Sequence, residues 1–145
     1  MKRIISVLLV FSFLFTLCSC INKDVPTIEN NERITLVIGE REFTVLLEEN
    51  ETAEVFKKSL PVSLLMTELN GNEKYHYLDY ALPNNEQSFV KINKGDVMLY
   101  GDRCIVVFYK SFVTAYRYTK IGQIENTDLL EEAIGEGNVL IEFKN

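Results

Sequence analysis

Hydrophobic and polar residues alternate along several short stretches of the chain, which is the pattern of half-buried β-strands. Arg33–Ile38 and Glu42–Leu47 alternate on either side of a Gly-Glu pair and predict a β-hairpin. Short stretches rich in apolar residues predict later strands at Val62–Leu69, Tyr75–Leu78, Phe89–Ile92, Val97–Tyr100, Cys104–Tyr109, Phe112–Tyr118 and Val139–Phe143, and of these Phe112–Tyr118 alternates clearly. Between them, Tyr80–Gln87 contains Pro and two Asn residues and predicts a loop.

One stretch between the predicted hairpin and the later strands has the period of a helix instead. Ala53, Phe56 and Leu60 are spaced by three and four residues, so they share one helix face. A helix is therefore predicted from Glu51 to about Leu60, with Asn50 as its N-cap.

The complete pattern favours a mainly β fold with two short helices. The second helix is predicted over Asp128–Ile134, capped by Asn126 or Thr127 and ended by the glycines at 135 and 137. Many short strands, with turns every 8–12 residues or so, are typical of a barrel or sandwich. The unbroken apolar run Cys104–Phe108 is typical of a strand covered on both faces.

The first residues of the chain differ from the rest. Lys2 and Arg3 precede a mostly apolar run, Ile4–Leu17, which has the length of a signal-peptide core and is short for a membrane-spanning helix. The segment 17–20, Leu-Cys-Ser-Cys, resembles a bacterial lipobox, in which a small residue precedes the cysteine whose thiol is acylated.

The prediction for this region is a lipoprotein precursor. Met1–Ser19 is the expected signal peptide, Cys20 the lipidated residue, and residues 20–32 a flexible, polar tether. One domain is expected over residues 33–145. An ordinary signal peptide cut near Ser19 and an uncleaved anchor helix are the alternatives.

Charge limits the partners that such a domain can bind. The formal net charge is −6, and it becomes −8 when Lys2 and Arg3 leave with the signal peptide. An acidic surface does not favour binding to nucleic acid or anionic lipid, because both need a basic patch. We therefore expect a monomer that is attached by its lipid to the outer side of the cytoplasmic membrane, or to the outer membrane if the host has one.

Few residues carry recognisable chemistry. The single histidine, His76, and scattered carboxylates do not suggest a metal site, and no nucleotide-binding or hydrolase motif is present. Neither a metal nor a cofactor is expected. Cys104 is the one cysteine outside the leader and the lipobox, and we expect it to be a small buried hydrophobe rather than a nucleophile.

Seven tyrosines are the unusual feature of the composition. Tyrosine joins a large apolar face to a polar tip and suits binding sites, although the strands of small barrels are rich in tyrosine in any case. If the domain has a ligand cleft, the candidates are Tyr109, Phe112, Tyr116 and Tyr118. Arg117 is expected on the opposite face by strand alternation.

Spaced segments between residues 61 and 143 resemble the small bacterial cyclophilin-like domains. The resemblance rests on Lys94–Tyr100, Ile105–Phe112, Tyr116–Gly122 and the Gly-Glu-Gly at 135–137. It implies a closed or nearly closed β-barrel of about eight strands, capped by the helices.

The resemblance also suggests prolyl cis/trans isomerisation, for which an Arg must reach the prolyl nitrogen. Phe89 and Gly95-Asp96 resemble parts of the isomerase site, but Ala81–Lys94 contains no Arg, so no catalytic residue carries over. The favoured function is a non-catalytic module at the cell envelope that binds a peptide or small ligand. A divergent prolyl isomerase and an envelope structural or assembly protein are the alternatives.

Overall fold

The computed structural model describes residues 32–145, and this part of the chain contains eleven strands and two helices. The strands are β1 (Arg33–Ile38), β2 (Arg41–Leu47), β3 (Val62–Leu69), β4 (Glu73–Tyr77), β5 (Gln87–Ser88), β6 (Lys91–Ile92), β7 (Asp96–Tyr100), β8 (Cys104–Phe108), β9 (Phe112–Val113), β10 (Arg117–Ile124) and β11 (Val139–Lys144). The helices are α1 (Glu51–Lys58) and α2 (Leu130–Ile134).

The predicted leader falls outside this description. The signal peptide Met1–Ser19, the lipidated Cys20 and the tether up to residue 31 all lie outside the described residues. Within residues 32–145, no helix has the length and hydrophobicity needed to cross a membrane.

Eight strands form a closed antiparallel β-barrel in the order β2-β1-β11-β3-β4-β8-β7-β10, and β10 pairs again with β2. Closure satisfies the hydrogen-bonding groups that an open sheet edge would expose. β5 adds to the first residues of β10, while β6 and β9 form a separate two-stranded ribbon. The predicted fold class, a mainly β barrel of about eight strands with two short helices, is confirmed.

Gly122 is the residue on which barrel closure depends most directly. It pairs with Val97 of β7 and with Leu47 of β2, beside a register shift that follows Lys120. A Cβ atom here would lie 2.6 Å from the carbonyl oxygen of Leu46. The strands can approach this closely because glycine has no side chain.

The interior of the barrel is filled by alternate residues of its strands, among them Leu36, Leu99 and Ile121, which are fully buried. Helix α1 joins this core through Phe56, whose ring meets that of Phe143 edge-on at 5.2 Å. The start of the helix is as predicted: Asn50 is the N-cap, and its Oδ1 accepts a hydrogen bond from the Ala53 amide at 2.9 Å. The helix ends at Lys58, two residues before the predicted end.

A second apolar cluster lies on the outer face of the barrel wall. In β8, Ile105 and Val107 face the barrel core, whereas Cys104, Val106 and Phe108 belong to the outer cluster. The ribbon covers this side through Ile92 and Phe112. All five residues of β8 are buried, which confirms a strand covered on both faces.

The prediction of one strand over Phe112–Tyr118 is wrong. β9 ends at Val113, and β10 begins only at Arg117. Between them the Tyr116 amide donates to Thr114 Oγ1 at 3.1 Å, a local bond that competes with strand pairing. β10 then continues to Ile124 through polar residues that the alternation pattern did not mark.

Other boundaries differ by a few residues. The predicted strand Phe89–Ile92 is reduced to β6, and β4 begins two residues before the predicted start. The second helix begins at Leu130 rather than Asp128, and its N-cap is Leu129 rather than Asn126 or Thr127. Asn126 Oδ1 instead accepts from the Asp128 amide in a turn before the helix.

Candidate functional site

A cavity with a volume of about 340 Å³ lies over the outer face of β4, β8, β7 and β10. We call it the tyrosine cleft. Five of the seven tyrosines line it: Tyr75, Tyr77, Tyr100, Tyr116 and Tyr118. The volume is in the range of small-molecule sites, which begins at roughly 300 Å³.

Strand alternation explains why these side chains meet. Successive residues of a strand point to opposite faces, so every second residue of β4 faces the cleft. Glu73, Tyr75 and Tyr77 are these residues, and they pair with Phe108, Val106 and Cys104 of β8, respectively. All but Phe108 of these six line the cleft.

The aromatic rings form a connected wall. Tyr118 is nearly buried and lies 5.5 Å from Phe108, edge to face. Tyr100 links it to Tyr116, with centroid distances of 5.7 Å and 6.0 Å, and Tyr75 meets Tyr77 at 5.9 Å on the other side. These are favourable aromatic geometries, so the rings stabilise one another in this arrangement.

The side chains that line the cleft differ in exposure from its rim to its bottom. Tyr77, Tyr100 and Tyr116 form an open rim, with 61%, 42% and 64% of their surface exposed. Tyr118 and Glu73 lie at the bottom, at 4% and 9%. A ligand that enters would therefore pass exposed rings before it meets the only charged side chain among the described lining residues, Glu73.

Glu73 is held in an environment that disfavours its charge. Burial, and to a smaller extent the nearby Glu68 carboxylate, raise the pKa of Glu73 to about 7. Within residues 32–145, no donor is hydrogen-bonded to this carboxylate. Buried carboxylates are normally paired, so an unpaired one at the bottom of a cleft is typical of a functional site.

Two further lining residues add to the polarity of the bottom. The side-chain oxygen of Asn72 is buried and has no hydrogen-bond partner among the described residues. Burial raises the pKa of the Cys104 thiol to about 11, and a hydrogen bond with Tyr77 offsets only part of this effect. Cys104 is thus a neutral thiol at physiological pH and a poor nucleophile, as we expected from its apolar run.

Three of the four predicted cleft residues meet in this cavity. Phe112, Tyr116 and Tyr118 all line it, although they belong to two strands and the turn between them rather than to one strand. Arg117 points away, and its guanidinium donates to the carbonyl oxygen of Glu86 at 2.7 Å.

The fourth predicted residue, Tyr109, does not belong to the cleft. It follows Phe108 in the chain, so alternation turns it towards the barrel core. Its hydroxyl donates to the Glu68 carboxylate at 2.9 Å, and the buried Lys74 ammonium lies 5.3 Å from its ring centroid. The prediction assigned Tyr109 to the cleft from its residue type and its position near the end of a strand. Neither property determines which face of the strand the side chain occupies.

Sequence reasoning missed the bottom of the cleft, above all Glu73. The alternation of Glu73, Tyr75 and Tyr77 is visible in the sequence, but the run from Asn70 to Lys74 is polar, as is typical of a turn, so the predicted strand begins only at Tyr75. Tyr100 and Cys104 were also missed, because the register that brings them together is not encoded locally.

The residues that resemble parts of an isomerase site contribute to the fold in this structure and do not line the tyrosine cleft. Asp96 is buried, accepts from the Asn93 amide at 2.7 Å and pairs with Lys120 at 3.2 Å. Gly95 has a positive φ of 92° and no room for a Cβ atom beside Thr127. Phe89 packs at the edge of the outer cluster. In the described residues, no group of three or more potential ligands is arranged to hold a metal ion.

Comparison with known proteins supports the fold. A solution structure of a hypothetical protein from Archaeoglobus fulgidus is similar, with a TM-score of 0.59 and 21% identity over 79% of this chain and 94% of that one. Among curated proteins, none matches the chain significantly. The model of the cyclophilin-like family matches residues 36–144, which is most of the described domain. The chain therefore belongs to the cyclophilin-like family.

Proposed function

We propose that this protein is a non-catalytic binding module that takes up a small ligand or the side chain of a peptide in the tyrosine cleft. The observation that carries the proposal is the meeting of five tyrosines over an unpaired, buried carboxylate. Ligand sites combine an apolar wall with a few polar groups that fix orientation, and the cleft has both.

The chemistry of the lining favours binding over catalysis. None of the described lining residues is an Arg, Lys or His, so the cleft supplies neither a guanidinium for prolyl isomerisation nor a cationic acid. Cys104 is present as a thiol, because burial raises its pKa to about 11, well above the pKa of Glu73, which is about 7.

The proposal includes export and lipid anchoring, which rest on the lipobox-like segment Leu17–Cys20. An anchored binding module would meet its ligand outside the cytoplasm. With two or three acyl chains the attachment would be stable, since one chain alone binds a membrane only marginally.

A screen of a metabolite and short-peptide library tests the function. The full chain is purified in a neutral detergent, and ligand binding is measured by thermal shift and by saturation-transfer NMR. We expect at least one compound to bind and to lose its affinity in Tyr100→Ala. Tyr80→Ala is the matched control, because Tyr80 is a tyrosine of similar exposure, 39%, that does not line the cleft.

Two outcomes would count against the proposal. Binding that is equally weakened by Tyr80→Ala and Tyr100→Ala would place the site elsewhere. Acceleration of prolyl isomerisation in a proline-containing peptide, lost in Tyr100→Ala, would make the protein an enzyme.

A further inference from the structure

We propose that the ligand of the tyrosine cleft is a small organic cation that carries a substituted ammonium group. This inference rests on the proposed binding function and specifies the chemical class of the ligand. It comes from the charge and geometry of the cleft residues, which are complementary to a cation and to no other common charge type.

The aromatic wall is the first argument. The faces of tyrosine rings are electron-rich and attract a cation that lies within about 6 Å of the ring centre. Tyr75, Tyr77, Tyr100, Tyr116 and Tyr118 surround one cavity, with neighbouring rings steeply inclined to each other, at 80° for Tyr75 and Tyr77 and 86° for Tyr100 and Tyr116. Inclined rings can direct faces and edges into a shared space, as in the aromatic cages that bind quaternary ammonium ions.

The carboxylate at the bottom is the second argument. Glu73 is nine-tenths buried and has no hydrogen-bond donor or cation paired with it among the described residues. The buried Lys74, its neighbour in the chain, points to the other face of β4 and is paired with Glu68 there. A cation in the cleft would supply the partner that Glu73 lacks, and the unpaired oxygen of Asn72 would be a second acceptor.

The charges around the cleft exclude an anionic ligand. No Lys or Arg is among the described lining residues, and Glu68 adds negative charge behind Glu73. An anion would meet an unfavourable potential, whereas a neutral ligand would leave the charge of an ionised Glu73 without a counter-charge. A bound cation removes both costs.

Binding should depend on pH through Glu73. The titratable groups that face it are Cys104 from β8 and Tyr118 from β10, and burial raises their pKa values to about 11 and about 12. Glu68 of β3 lies on the opposite face, paired with Lys74; the pKa of Glu68 is lowered, and its charge raises the pKa of Glu73 from behind. His76 lies on β4 but contacts the Leu65 carbonyl on the β3 side, at 2.9 Å. Ionisation of Glu73 near pH 7 therefore controls cation affinity, which should rise about tenfold between pH 6 and pH 8.

The test uses two probes of the same shape. Choline carries a quaternary ammonium, and 3,3-dimethylbutan-1-ol replaces its nitrogen by carbon and has no charge. Isothermal titration of the full chain in neutral detergent should show choline binding on the order of tenfold more tightly than the alcohol at pH 8. Glu73→Gln should remove most of this preference and its pH dependence, and Glu40→Gln, at an exposed turn position, should preserve both.

The outcomes separate this inference from the proposed function. Equal affinity for choline and the alcohol would overturn the assignment of a cation. A preference for choline of unchanged size in Glu73→Gln would overturn the role of Glu73 in binding it. If the alcohol or a library compound still binds in a Tyr100-dependent manner, the cleft remains a binding site for a neutral ligand. If no compound of either kind binds, both proposals fail.

Discussion

At the scale of single residues, Glu73 shows how the fold sustains an unfavourable group. The carboxylate is held at the bottom of the cleft by the pairing of β4 with β8, which fixes its face regardless of its charge. Stability given up at one position is common where a site is prepared for a ligand. The cost should be visible in the pH dependence of folding.

Glu73→Gln tests this cost. Because the pKa of Glu73 rises from 4.5 to about 7 on folding, the folded state holds the proton more tightly, and stability falls as pH rises through this window. The cleft is open to solvent, which reduces the effect, so we expect Glu73→Gln to be more stable than the wild type by roughly 1–2 kcal/mol at pH 8 and about equal at pH 4.5. Urea denaturation at the two pH values measures the difference. A variant that is less stable at pH 8 would contradict the account.

At the scale of elements, β4 separates two environments. On its outer face Glu73 and two tyrosines line the cleft, while on its inner face Lys74 is fully buried. The Lys74 ammonium pairs with Glu68 and donates to the carbonyl oxygens of Gly135 and Gly137, at 3.1 Å and 2.5 Å. It thereby ties the β3–β4 hairpin to the turn between α2 and β11.

Lys74→Met should weaken this connection. The substitution leaves Glu68 and two carbonyl groups without their donor, and loss of one partner from a buried pair costs several kcal/mol. Glu68 is partly exposed, so we expect a loss of about 2–4 kcal/mol in urea denaturation, partly recovered in a double variant with Glu68→Gln. Lys58→Met, at an exposed position of α1, serves as the control and should change stability little. If Lys74→Met leaves the free energy of unfolding unchanged, the Lys74–Glu68 pair does not stabilise the fold.

The elements also show what sequence alone could predict. The first hairpin and β3 were correct to within a residue, because their apolar residues alternate and turn residues flank them. The predicted strand ended at Tyr118, whereas β10 continues to Ile124, because Lys120 and Gly122 are not typical strand residues. Gly122 is there because the Leu46 carbonyl comes too close for a side chain, and only the closed barrel reveals that contact.

The cleft residues also divide into those that the sequence could predict and those that only the paired strands reveal. Phe112, Tyr116 and Tyr118 could be chosen from residue type and spacing, and the structure brings them together. Tyr109 could not be excluded and Glu73 could not be included, because the face of each depends on the register between β4 and β8. Register is a property of paired strands and is weakly encoded in either strand alone.

At the scale of the whole molecule, a closed barrel carries the proposed binding surface on its outer wall, and the proposed lipid would keep it at a membrane. The lipobox-like segment predicts a mature chain that begins at an acylated Cys20. Mass spectrometry of the protein from its native host should find residues 1–19 removed and the new N-terminus carrying two or three acyl chains. Cys20→Ser should release the protein from the membrane fraction or leave its leader uncleaved. Detection of an unmodified Cys20 would contradict the lipoprotein assignment.

The central claim is that ligand enters the tyrosine cleft, and the tyrosines themselves can report it. In the full chain with ¹³C-labelled tyrosine rings, NMR titration with choline at pH 8 should shift the signals of Tyr75, Tyr77, Tyr100, Tyr116 and Tyr118. Tyr80 and Tyr109, which do not line the cleft, should stay unchanged and act as internal controls. Shifts that centre on Tyr80 or Tyr109 would contradict the account, and so would the absence of shifts with choline and with every compound that binds in the library screen.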